Sequence, residues 1–158
     1  ADRMPDEAQT PAFEGPLVAE PATKDFISSN YDVIQRSVLA GMGLDRFDAG
    51  IANRVMGAIQ KGQLQLWRIY SPETDDVAGT LTFHIGVDPF TLEGFLWIYS
   101  LHLSGDVVLE AWRQPFVQID KFAKANNITK IGARTKLDRV ADIAMDNGFD
   151  VYWYLERS

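Results

Sequence analysis

Between Phe95 and Leu103 apolar side chains fill both alternating faces of one run. Phe95, Trp97, Tyr99, Leu101 and Leu103 share one side, and Leu96 and Ile98 share the other with Ser100 and His102. A strand built this way cannot leave a face in water, so it belongs in the middle of a sheet covered on both sides. Two more strand runs precede it, Leu64–Tyr70 and Val77–Val87. The turn-rich connectors Ser71–Asp76 and Asp88–Gly94 make the three runs an antiparallel meander.

Helical patterns surround this meander. After a short strand at Leu17–Glu20, Thr23 can cap a helix whose apolar stripe is Phe26, Ile27, Tyr31, Ile34 and Val38, ending at Gly41 and Gly43. Asp48 can cap a second helix carrying Ile51, Val55 and Ile59, with Gly62 past its end. From Asp106 a stripe of Val108, Leu109, Trp112, Phe116, Ile119 and Ala123 runs to Asn126, with Pro115 expected to kink or divide it. A β-α-β pattern closes the chain: a strand at Ile128–Ala133, a helix at Leu137–Asn147 ended by Gly148, and a strand at Phe149–Glu156.

The 158 residues and their 46% apolar content supply one sizeable core without staples, and the absence of cysteine excludes disulfides, thiolate metal sites and cysteine nucleophiles. A net charge of −7 argues against a general nucleic-acid or anionic-membrane surface. No apolar run approaches ~18 residues and no basic segment leads into an apolar one, so neither a membrane span nor a signal peptide is expected. His84 and His102 are expected to be neighbours across adjacent strands, but two histidines without cysteine give no metal site. Ser100, His102 and Glu93 form no recognisable catalytic constellation, so no catalytic residue is assigned.

Residues 1–16 carry Asp2, Asp6, Glu7 and Glu14 among prolines without apolar periodicity and read as an extended acidic arm, leaving 17–158 as the folded domain. In the closing strand Phe149, Val151, Trp153 and Leu155 face one way and Asp150, Tyr152, Tyr154 and Glu156 the other. The tyrosines suit a protein contact, and Phe13, Glu14, Tyr152 and Tyr154 are the candidate partner-contacting residues. Lys130, Arg134, Lys136 and Arg139 form one basic cluster near a strand–helix junction.

The order strand, two helices, three antiparallel strands, helix, strand, helix, strand resembles the GCN5-related N-acetyltransferase (GNAT) fold from Leu17 to the C-terminus. Ala22-Thr23-Lys24-Asp25-Phe26 looks like that family's entry to its first helix, and Asn147-Gly148-Phe149 like its final Gly-Phe turn. The resemblance implies an α/β fold, a three-layer α/β/α sandwich around a mixed, mostly antiparallel sheet.

It also implies a cofactor loop of Arg or Gln, two residues, Gly, one residue, then Gly or Ala, whose backbone N–H groups meet pyrophosphate at a helix N-terminus. The matching segment here, Leu101 to Glu110, has only Gly105 and places Asp106 where the anion should sit. Asp106 there repels phosphate and suits a structural cap. The tyrosine that many members place four residues before the final glycine is here Ala144, which has no proton to give.

From Phe95 onward the chain also looks like small GNAT-like structural components of tailed bacteriophages. The main expectation is therefore a non-catalytic protein without cofactor, held among repeated protein subunits in a virion or host cytoplasm. The alternative is an N-acetyltransferase with a divergent loop that binds acetyl-CoA through Ser104, Gly105, Asp106 and Val107.

Overall fold

The computed structural model describes residues 16–44, 46–104 and 109–133. The arm up to Gly15, the loop Gly105–Val107, Arg134, Lys136, Arg139, Ala144, the expected helix Leu137–Asn147 and the closing strand lie outside the described residues. So do Phe13, Glu14, Tyr152 and Tyr154.

Nine elements follow one another: β1 (Val18–Pro21), α1 (Lys24–Ser29), α2 (Tyr31–Gly41), α3 (Ala49–Gln60), β2 (Gln65–Tyr70), β3 (Val77–Val87), β4 (Gly94–Leu103), α4 (Leu109–Ala125) and β5 (Ile128–Ala133). The strands lie in sequence order in one sheet, antiparallel from β1 to β4, with β5 parallel to β4. Helix α4 is the crossover that this parallel pairing requires.

The expected helix caps form. Thr23 Oγ1 accepts from Phe26 N at 3.1 Å, and Asp48 Oδ1 accepts from Ile51 N at 2.9 Å. The single helix expected from Thr23 to Gly41 is two. Buried Asn30 leaves the helical backbone region (φ −129°, ψ 25°), and its side-chain amide donates to the Phe26 carbonyl at 2.9 Å. Asn competes in this way for backbone partners, so it ends α1 and opens α2 at a new angle. Pro115, expected to kink or divide α4, lies within a helix that continues unbroken to Ala125.

Each face of the sheet carries its own core. Trp67, Ile69, Leu81, Phe83, Leu96 and Ile98 pack with Ile119 and Ala123 of α4. Leu66 and Val77 pack with Phe26, Ile34, Val38, Met56 and Ile59 of α1–α3. Burying each of these large side chains stabilises the fold by about 1.5–3 kcal/mol, and together they make the three-layer α/β/α arrangement. Among the described residues no helix is long and apolar enough to cross a membrane.

The strict alternation expected along β4 breaks at one place. Thr82 of β3 faces Ser100, but the next residue, Phe83, faces Ile98, so Tyr99 is an extra residue on β4. This bulge exchanges the faces. Leu101 and Leu103 join Leu96 and Ile98 toward α4, whereas Phe95 and Trp97 lie on the face of Ser100 and His102.

Candidate functional site

The bulge at Tyr99 breaks the regular pairing of β4 with β3. Toward β5 the pairing runs from Gly94↔Ile128 to Ile98↔Ala133. From Ser100 to Leu103 the β3 partners continue, through Gly79↔Leu103, while among the described residues β5 offers β4 no partner. Among the described residues, β4 beyond the bulge is thus paired along its β3 edge alone.

On the α4 side of this stretch lies a small, wholly apolar pocket lined by Leu81, Ile98, Leu101, Pro115, Phe116 and Ile119. Pro115, inside α4, forms part of its wall. On the opposite side the same stretch of β4 carries a polar seam. Ser37 Oγ of α2 lies 2.7 Å from Thr80 Oγ1 and 3.0 Å from His102 Nδ1, and Thr82 and Ser100 share a hydrogen bond. Ser37, Thr80, Thr82 and Ser100 are all buried, so these hydroxyls satisfy one another in place of water.

Two close approaches hold the seam in register. A methyl group on Gly79 would fall 1.8 Å from the His102 carbonyl oxygen, and one on Gly41 would fall 3.0 Å from the Leu101 nitrogen and the Ser100 side chain. Glycine at both positions lets β3 and the end of α2 press against β4 just beyond the bulge.

Of the four residues expected to hold acyl-CoA, Ser104 alone is described. It is buried, and its N–H donates to the Ala78 carbonyl at 2.7 Å, so it would approach a phosphate through its hydroxyl rather than its backbone. Glu93 sits at the opposite end of β4 from His102, roughly 30 Å of strand away, and pairs with Lys130 at 3.1 Å. His84 and His102 are not neighbours: His84 faces Trp97 and His102 faces Thr80, because the β3–β4 register sets the two histidines four residues apart along β3.

Sequence reasoning missed Ser37 and the bulge. A serine inside an amphipathic helix signals nothing by itself, and an extra residue in an apolar strand leaves no compositional trace.

No protein-family model matches the sequence, and no curated protein matches it. The fold is shared with solved structures. A probable acetyltransferase superposes with a TM-score of 0.69 at 9% identity, over 91% of this chain and 95% of its own. A GNAT family acetyltransferase of Staphylococcus aureus gives 0.61 at 9% identity, over 91% of this chain and 100% of its own. Glucosamine-6-phosphate N-acetyltransferase of Arabidopsis thaliana gives 0.62 at 8% identity, over 91% and 99%. The GNAT-like fold expected from the sequence is thus observed. The main functional expectation is corrected: the structural neighbours are acetyltransferases, and they do not support a non-catalytic phage component.

Proposed function

We propose that this chain is an acyl-CoA-dependent N-acyltransferase that moves a short acyl group, acetyl in the simplest case, to a primary amine. The observation that carries the reading is the bulge at Tyr99, beyond which β4 bears an apolar pocket on one face and a hydroxyl–imidazole seam on the other. Transfer between two substrates needs such a meeting of surfaces, because the donor carbonyl and the acceptor nitrogen must come within ~3–3.5 Å in a fixed orientation. The likeness to acetyltransferases supports the same reading.

The described residues fit the donor at its apolar end. Ile98, Leu101 and Phe116 would cover the acyl group and exclude water. Ser104, Gly105, Asp106 and Val107 are the loop that would meet its phosphates, with the Asp106 carboxylate lowering affinity there. In the transfer, the amine nitrogen forms a bond to the thioester carbonyl carbon and the carbon–sulfur bond breaks. The proton lost by nitrogen goes to His102, whose ring Ser37 orients through Nδ1. The sulfur departs as thiolate and is protonated from solvent, since Ala144 supplies no proton, and His102 returns its proton to solvent, which closes the balance.

The test is release of coenzyme A thiol from acetyl-CoA in the presence of primary amines. Turnover is expected, and His102→Gln should lower it by roughly 10²–10⁴ with donor binding retained. A folded protein that releases no thiol with any amine overturns the proposal.

A further inference from the structure

Among the described residues, one part of the sheet on the α1–α3 side carries rings rather than helices. Phe95 and Trp97 of β4 are half-buried and Tyr99 is 46% exposed, all beside half-buried His84 of β3. His84 lies edge-on to Phe95, with centroids 5.6 Å apart and planes at 84°, and 5.5 Å from Tyr99.

Two glycines keep this surface low. A methyl on Gly86 would come within 2.4 Å of the Phe95 ring, and one on Gly132 within 2.7 Å of the Trp97 ring. Each ring therefore lies against a neighbouring strand's backbone. The strip from Phe95 to Tyr99 spans roughly 13 Å and ends at the bulge, where the proposed transfer takes place.

We propose that this aromatic strip is the acceptor surface, and that it takes a primary amine borne on a flat aromatic ring. The inference rests on the acyl-transfer reading and names its substrate class. Rings held apart edge to face accept another ring between or upon them, and their faces also attract the ammonium form of an incoming amine. An amino sugar would need a fringe of hydrogen-bonding side chains. Here Gly86 and Gly132 bring none, the polar atoms of His84 and Tyr99 belong to the rings of the strip itself, and the charged groups at its far end, Lys130 and Glu93, satisfy each other. A peptide acceptor would need unpaired backbone along the strip, but β3, β4 and β5 are paired with one another from Gly94 to Ile98. The ring would lie over Trp97 and Phe95, with its amine directed past Tyr99 toward the bulge and His102.

Calorimetric titration of the full chain with 2-phenylethylamine, n-butylamine and glucosamine, without any acyl donor, tests this. 2-Phenylethylamine is expected to bind at least about tenfold more tightly than n-butylamine, and Tyr99→Ala and Trp97→Ala should each erase most of that preference. Tyr99 is exposed enough for its variant to fold, so it decides the matter if Trp97→Ala does not. Equal binding of the two amines, tighter binding of glucosamine, or a preference that survives Tyr99→Ala overturns the proposal. Acetyl-CoA is titrated separately. Aromatic preference without donor binding leaves the strip standing and removes the transfer reading; donor binding without the preference does the reverse.

Discussion

Ser37 of α2 meets His102 of β4 on the face of the sheet that α2 covers, its Oγ lying 3.0 Å from the ring Nδ1 and 2.7 Å from the Thr80 hydroxyl. One small hydroxyl thus joins a helix to two strands at the point where β4 leaves its regular pairing. Ser37→Ala would leave the buried Thr80 hydroxyl without this partner. The expected loss is about 1–3 kcal/mol in urea-induced unfolding, together with lower turnover from a misoriented His102. An unchanged midpoint would mean the seam adds nothing to stability.

Removing Tyr99 separates the bulge from the fold. Phe83↔Ile98 and Thr82↔Ser100 would then become consecutive pairs, and every other side chain of β4 would keep its face. The deletion variant should retain its far-ultraviolet circular dichroism. It should lose at least about a hundredfold in acyl transfer, the scale set by small misplacements at a reacting centre. Retained activity would show that the bulge is incidental.

Much of this architecture was legible in the sequence, for reasons that attach to particular residues. Thr23 and Asp48 are local capping signals that need nothing distant, and both operate as read. The two-faced run at Phe95–Leu103 correctly implied a central strand, because burial of both faces is a property of the run itself. Its internal alternation was misread, since a bulge depends on what β3 offers opposite, and Tyr99 looks like any strand residue. Asn30 was passed over because one polar residue in an apolar stripe reads equally as a solvated position. The site was harder still. Ser37, Thr80 and His102 come from three separate elements, and only the folded register brings them together.

Gly79 gives a sharper stability test than any side-chain truncation. A methyl there would fall 1.8 Å from the His102 carbonyl, a backbone atom that cannot step aside without parting β3 from β4. Gly79→Ala should cost about 3 kcal/mol or more, beyond ordinary overpacking, as read from chemical denaturation. A loss below about 1 kcal/mol would place the strand pairing elsewhere than described.

The β3–β4 turn should respond to acid. Asp88 Oδ1 accepts from the backbone N–H groups of Thr91 at 3.0 Å and Phe90 at 2.8 Å, and these bonds, the Thr91 one foremost, hold its carboxyl below the usual 3.8. A carboxylate whose folded value is depressed stabilises the turn above its unfolded value and loses that contribution as pH falls through the folded one. Amide resonances of Phe90 and Thr91 should therefore hold steady through the ordinary carboxylate range and shift together only in stronger acid. Movement centred at or above 3.8 would contradict the hydrogen bonding.

Donor binding tests the central claim most directly. Isothermal calorimetry of the folded full chain with acetyl-CoA should show micromolar affinity. Leu101→Phe, which fills the apolar pocket beside the bulge of β4, should weaken it at least tenfold, or about 1.4 kcal/mol. No heat at millimolar acetyl-CoA, with the protein shown to be folded, would contradict the acyltransferase account.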